Sequence, residues 1–220
     1  MVSDLNGAII LVLGASGGLG SRFSTALAAA GATVLEASRS TGYDLRDVAM
    51  PSRTFAAIHA EHGRLDGVVI AAGVVAFGTA DTVTDAALNE LFDVNALGPI
   101  RIIREATPLL AESSRAGGHP FIVTLSGIVS EVPTAGLAAY SASKSALAAF
   151  TVAASRELRR SGIRILDARP GHTETSLSRH PIAGTPPAFG PGLDPDFVVA
   201  RIVKALSDDE RDLPSTAFAE

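Results

Sequence analysis

Residues 8–13, Ala-Ile-Ile-Leu-Val-Leu, run without a break into Gly14-Ala15-Ser16-Gly17-Gly18-Leu19-Gly20 and then into an alanine-rich helical pattern ending near Ala30. Strand, glycine turn, helix is the order of a nucleotide-binding βα unit. Without a β-carbon, Gly14, Gly18 and Gly20 let the backbone turn sharply and come close to a pyrophosphate. They also leave the N–H groups at the start of the helix free to meet its charge. A chain that opens in this way is committed to a parallel α/β architecture.

The remaining sequence continues the alternation. Apolar runs at 8–13, 33–37, 67–72, 120–125 and 163–168 are interleaved with helical patterns near 18–30, 49–62, 84–114, 139–160 and 195–207. Such alternation predicts βαβ units around a parallel sheet buried on both faces. After the second run, Arg39 is followed at once by Ser40-Thr41-Gly42-Tyr43-Asp44, which leaves no room for a helix and predicts a turn. Proline and glycine crowd 181–195, a loop composition. With 220 residues the chain can bury about 70% of its unfolded surface as one domain. There is no cysteine, which excludes disulfides and thiolate metal sites and fits a cytoplasmic protein. A net charge of −5 without a basic run argues against nucleic acid. Arg156, Arg159 and Arg160 read as the wet side of a helix. No apolar run reaches the roughly 20 residues of a membrane span. Residues 1–6 lack the charge and apolar core of a signal peptide.

Tyr140 and Lys144 lie four residues apart in a helical pattern and project from one face. An ammonium close to a phenol favours its ionised form, so the pair predicts a Tyr140 hydroxyl of lowered pKa, able to exchange a proton with a carbonyl oxygen. Asn95 lies within the 84–114 pattern, four residues before Pro99. Proline has no N–H for the Asn95 carbonyl, which predicts a kink there and a carbonyl without its helical partner.

Gly14-x-x-x-Gly18-x-Gly20 and Tyr140-x-x-x-Lys144, in this order, resemble the short-chain dehydrogenase/reductase family. Asp44-Leu45, Asp66 to Gly73, Val94-Asn95-Ala96-Leu97-Gly98 and Arg169 to Thr175 extend the resemblance over almost the whole chain. It implies a single Rossmann-type domain over residues 1–220: a doubly wound parallel sheet in three α/β/α layers, with a short lid near 176–195. It further implies a bound nicotinamide dinucleotide and interconversion of a carbonyl and an alcohol. The implied catalytic residues are Tyr140, Lys144, Asn95 and a serine. The implied cofactor contacts are Gly14, Ser16, Gly17, Gly18, Leu19, Gly20, Ser38, Arg39, Asp44, Leu45, Ala71, Ala72, Gly73, Asn95, Tyr140, Lys144, Pro170, Gly171, Thr173 and Thr175. Asn95 would act through its backbone carbonyl and a water that links Lys144 to solvent.

Two departures from the family pattern stand out. Gly127 occupies the distance from Tyr140 where the family places its serine, and Ser126 is one residue farther away. Either an extra loop residue restores Ser126 to that place, with Ser130 as a substitute, or the site lacks the hydroxyl. Ile70-Ala71-Ala72-Gly73 also stands where the family has Asn-Asn-Ala-Gly. Cofactor preference is read at the end of the second strand. An acid there would repel a 2′-phosphate and an arginine would pair with it, so Ser38-Arg39 predicts NADP over NAD despite Glu36 two residues earlier.

The walls expected around a substrate, at 74–77, 128–137 and 181–195, are mostly apolar, which predicts an uncharged ketone, aldehyde or secondary alcohol. The short lid predicts an open pocket. His59 and His62 have no evident third metal ligand, and His172 reads as pocket wall. No Gly-x-Ser-x-Gly elbow supports a hydrolase. A second reading from another class is a non-catalytic NADP(H) sensor, which the serine and asparagine departures would suit. Apolar residues on more than one face of the 84–114 and 139–160 patterns predict self-association, and the resemblance implies a homodimer or homotetramer.

Overall fold

The structure, a computed structural model, describes residues 5–219. Most of the amino-terminal leader reading, Met1 to Asp4, therefore lies outside the described residues. Six parallel strands form one sheet in the order β2-β1-β3-β4-β5-β6. They are β1 (Ile9–Leu13), β2 (Thr33–Ala37), β3 (Gly67–Ile70), β4 (Phe121–Leu125), β5 (Arg164–Ala168) and β6 (Asp212–Leu213). The helices are α1 (Gly20–Ala29), α2 (Met50–His62), α3 (Asp85–Phe92), α4 (Gly98–Arg115), α5 (Ala138–Leu158) and α6 (Pro195–Ser207).

Strand side chains alternate between the two sheet faces, and the core divides accordingly. Leu11, Leu13, Val68, Ile70, Ile122 and Ile165 pack with residues of α2, α4 and α5. Ile10, Val12, Val69, Phe121, Val123 and Leu166 pack with α1 and α6. Helices thus cover both faces, as the continuous apolar strands require. The chain runs from β1 outward to β2, then crosses back to pair β3 with β1 on its other side. That reversal of strand order opens a crevice at the carboxyl ends of the strands.

Residues 39–49 contain a short 3₁₀ turn at Arg39–Thr41 and no helix or strand before α2, as the crowded glycine and polar residues predict. The 84–114 pattern is not one kinked helix. Between α3 and α4 the segment Asp93–Leu97 is π-helical, and the Gly98 N–H reaches back to the Asp93 carbonyl. Pro99 has no N–H to continue α-helical bonding, and the backbone accommodates this by taking one extra residue into the turn. The carboxyl tail adds β6, which places Asp212 beside Asp167 and Leu213 beside Ala168. Asp194 caps α6 by accepting from the Asp196 N–H at 2.7 Å, with Pro195 in the first turn.

Residues 171–194 form no helix. Backbone bonds stitch this segment to the loop after β3: Ile182 N–H to the Val75 carbonyl and Phe77 N–H to the Ala183 carbonyl, both 2.9 Å. The Pro/Gly segment is thus tied to the loop after β3, and its Ile182 and Phe189 form part of the crevice wall. A β-carbon on Gly184 would lie 1.8 Å from the Phe77 carbonyl oxygen, so glycine permits this close approach.

Candidate active site

A cleft of about 650 Å³ follows the carboxyl ends of β1 to β5. At one end it is lined by Gly14, Ser16, Gly17, Gly18 and Leu19. Gly14 ends β1 at φ +83°, and a β-carbon there would lie 2.6 Å from the Ala72 nitrogen. Glycine is therefore required both by conformation and by the adjoining loop. Gly20 is not on the cleft wall; it lets α1 start against the turn, since its β-carbon would lie 2.0 Å from the Gly14 oxygen. No side chain caps the start of α1, so its first N–H groups suit an anion. Thr175 comes over from the far loop, 2.7 Å from where a Gly18 β-carbon would be.

Beyond the glycines the wall is formed by Ser38, Arg39, Asp44 and Leu45. Arg39 is exposed, and the Ser38 and Ser40 hydroxyls bond to each other at 2.7 Å. Glu36 does not line the cleft. Arg46 lies on the same wall and was not anticipated from the sequence. Its guanidinium grips Asp44, with Nη2 to Oδ2 at 2.6 Å, and that bond holds the carboxyl below the usual carboxylate range. The Asp44-x-Arg46 spacing across a turn was the available signal.

At the other end Ala71, Ala72, Gly73, Tyr140, Lys144, Pro170, Gly171 and Thr173 meet. Tyr140 and Lys144 leave the first two turns of α5. The Lys144 ammonium sits 5.9 Å from the Tyr140 ring centre, is nearly buried, and donates to the Leu125 carbonyl at 2.8 Å. Burial brings Lys144 down to about 8, a fall that the nearby Asp167 carboxylate opposes. Burial pushes Tyr140 up to about 12. The expected lowering of the phenol is thus corrected: burial raises it, and Lys144 is not among the causes that act on it.

Asn95 is fully buried and is not on the cleft wall. Its side chain is fully engaged in hydrogen bonds. Oδ1 accepts from the Val74 N–H at 3.0 Å, and Nδ2 donates to the Val74 carbonyl at 2.9 Å and to Ser143 Oγ at 3.1 Å. The π turn, the loop after β3 and α5 are tied together at this point. A β-carbon on Gly73 would lie 3.3 Å from Asn95 Oδ1 and 3.5 Å from Lys144 Nζ.

The expectation that Ser126 faces the cleft is overturned. Ser126 is fully buried, and its hydroxyl donates to Asp167 Oδ2 at 2.5 Å. Thr124, two residues earlier on the same sheet face, donates to Asp167 Oδ1 at 2.7 Å. A carboxylate buried in β5 needs such donors, and the strand end supplies them. Ser130 does not substitute: its hydroxyl goes to the Gly127 carbonyl at 2.8 Å and Ser126 Oγ at 3.2 Å, off the cleft wall. Gly127, at φ +72°, is the residue that borders the cleft.

The far pocket is walled by Val75, Phe77, Ile128, Leu137, Ile182 and Phe189, with Thr134 and His172 as polar members. His172 stacks on Phe189 at 4.4 Å, and Phe189 tilts against Phe77 at 5.9 Å. Among the described residues no group of three potential metal ligands occurs. No described helix is long and apolar enough to cross a membrane.

A sequence model of the family described as short chain dehydrogenase matches residues 37–183. The 2,3-dihydro-2,3-dihydroxybenzoate dehydrogenase of Escherichia coli is 31% identical over 186 residues, covering 80% of this chain and 73% of that one. A crystal structure of a short-chain dehydrogenase from Streptomyces avermitilis superimposes with a TM-score of 0.82 at 26% identity, covering 96% of this chain and 90% of its own. The 3-ketoacyl-(acyl-carrier-protein) reductase of Brucella melitensis, complexed with NADH, has a TM-score of 0.86 at 21% identity. It covers 98% of this chain and 100% of its own, and it speaks for the fold alone.

Proposed function

We propose that this chain, which belongs to the short-chain dehydrogenase family, is an NADP(H)-dependent reductase of uncharged ketones or aldehydes. The observation that carries this reading is that Tyr140, Lys144 and the glycine-lined turn open onto one cleft.

The residues present fit a dinucleotide. Gly14 and Gly18 leave room for backbone to approach phosphates, and the uncapped start of α1 offers N–H donors. Arg39, whose exposed guanidinium has no hydrogen bond or ion pair to a described residue and which has Ser38 beside it, suits a 2′-phosphate. Asp44 and Leu45 would flank the adenine, and Lys144, Pro170, Gly171 and Thr173 the nicotinamide end. When bound, NADPH supplies the hydride that reduces the carbonyl carbon.

The protein's own part is to hold the carbonyl and to move a proton. Tyr140 gives its hydroxyl proton to the carbonyl oxygen, leaving an alcohol. A phenol raised to about 12 remains protonated at neutral pH, so the proton is present, and its transfer depends on Lys144 to stabilise the phenolate that forms. Lys144, charged below about 8, stabilises the phenolate left behind. Asn95 fixes the loop at Gly73 and Val74 against α5. With Gly127 on the wall, neither Ser126 nor Ser130 is placed to orient the carbonyl. A missing donor of this kind costs on the order of 10²–10³ in rate, so turnover is expected to be slow. The segment 176–195 acts as a lid within a single domain. A homodimer or homotetramer would form through the outer faces of α4 and α5, where Val152 is exposed. The cysteine-free composition suits a cytoplasmic setting.

The second reading, a nucleotide sensor without turnover, is favoured by one observation: the Ser126 hydroxyl is buried on Asp167. Incubation with NADPH and a panel of neutral ketones, followed by nicotinamide absorbance, separates the two. Reductase activity predicts oxidation with at least one ketone. Tight NADPH binding with no oxidation across the panel supports the sensor.

A further inference from the structure

The buried side of the β4 end carries a polar cluster that the proposed reaction does not use. Asp167, nearly buried on β5, accepts from Ser126 at 2.5 Å, Thr124 at 2.7 Å and Arg169 Nη1 at 3.1 Å. Leu125 lies between the two donors of β4, and its carbonyl receives the Lys144 ammonium at 2.8 Å. The residue next along the chain, Gly127, is in a left-handed conformation at φ +72°. In extended backbone, successive residues address opposite directions. Anchoring Thr124 and Ser126 on one carboxylate therefore fixes the peptide whose oxygen holds Lys144.

We propose that Asp167 is a positioning residue for Lys144: it anchors the strand end that presents the Leu125 carbonyl, and it supplies the counter-charge for the buried ammonium. This deepens the reading of Lys144 given above and rests on it for its catalytic meaning.

The surrounding charges are compatible with this role. Lys144 lies over the Tyr140 ring of its own helix and beside neutral Gly73 of the β3 loop, and Asp167 of β5 is the carboxylate whose charge acts on it. Behind Asp167, Arg169 is shared with Glu131 and with Asp212, the latter at 2.7 Å. One guanidinium thus faces three carboxylates, and it does not neutralise Asp167 alone. Burial raises the Asp167 carboxyl above the usual range, while the Ser126, Thr124 and Arg169 bonds oppose that rise and favour the charged form that would offset the desolvation cost of the ammonium.

The chain contains two lysines, Lys144 and Lys204. Lys204 is exposed and paired with Asp208. Lysine labelled with ¹³C or ¹⁵N in the side chain therefore gives two NMR signals, and Lys204→Arg assigns them. Titration of the free protein then reads Lys144 directly, with no substrate. Asp167→Asn is expected to lower the proton affinity of Lys144 at least about tenfold. Ser126→Ala, which keeps the charge and removes one anchor, should lower it about twofold to threefold. An unchanged Lys144 midpoint in folded Asp167→Asn overturns the proposal. If that variant does not fold by circular dichroism, Ser126→Ala decides: a downward shift supports the proposal and no shift overturns it. A purely structural role would lower the melting temperature and leave the Lys144 titration where it is. Because the measurement needs no turnover, its failure is distinguishable from failure of the proposed reaction.

Discussion

Gly14 and Gly127 both sit just past a parallel strand, border the same cleft and have φ near +80° and +70° respectively. Their surroundings differ. A β-carbon on Gly14 would lie 2.6 Å from the Ala72 nitrogen, whereas one on Gly127 would come no nearer than 3.7 Å, to the Pro170 oxygen. At the Gly14 end, backbone meets backbone and no other residue fits. At the Gly127 end there is room for a side chain, and glycine instead marks a change of backbone direction. The half of the cleft beside the glycine turn is set by crowding and the half beside Tyr140 by where polar groups find partners. The second kind of constraint is easier to alter without losing the fold.

The largest expected effect comes from the crowded end. Gly14→Ala combines an unfavourable φ with a clash against backbone, and NADPH affinity should fall at least about a hundredfold, read by nicotinamide fluorescence titration. Affinity within a few-fold of the parent would break the contrast. Next is Arg39→Ala, which should raise KM for NADPH about tenfold or more while leaving NADH nearly unchanged. Equal changes for both cofactors would remove the 2′-phosphate assignment. Gly127→Ala has space but an unfavourable φ. It should lose about 1–3 kcal/mol of stability in urea denaturation, with NADPH affinity kept within about threefold because the phosphate end is untouched. Damage to binding equal to that at Gly14 would show that the two ends are not separable.

The pH dependence sharpens the same contrast. Burial lowers Lys144 to about 8 and raises Tyr140 to about 12. Lys144 holds its proton below its midpoint and loses it above, while Tyr140 stays protonated throughout this range. Ketone reduction should therefore be level at lower pH and decline as pH rises through about 8, with little change in NADPH affinity from the phosphate end. A rate that stays flat well above that value would show that the Lys144 charge does not assist Tyr140.

The features legible in the sequence were those that depend on backbone and periodicity. The buried runs at 8–13, 120–125 and 163–168 became β1, β4 and β5 with small changes at their ends, because parallel strands covered on both faces read as unbroken apolar segments. Whether the carboxyl tail forms an edge strand could not be read from the sequence, because the two residues of β6 carry no periodicity. Pro99 revealed that α-helical bonding must fail near Asn95, but not that the backbone would respond with a π turn. Ser126 was the sharpest miss. Counting residues from Tyr140 locates a position along the chain, whereas the direction of the hydroxyl depends on which buried group claims it. Asp167, among the buried Ile165, Leu166 and Ala168 of β5, was the visible signal, since a buried carboxylate must find donors. The Tyr140 shift went the same way: helical spacing showed the cation nearby but could not weigh it against burial.

The central claim is that the Tyr140 hydroxyl is the proton donor in a cleft that also holds the dinucleotide. The most direct measurement compares the parent protein with Tyr140→Phe, in NADPH binding and in NADPH oxidation with a neutral ketone that the parent reduces. The expected result is matching NADPH affinity, with oxidation reduced by about 10²–10⁴ in the phenylalanine variant. Oxidation by Tyr140→Phe at the parent rate would contradict the account.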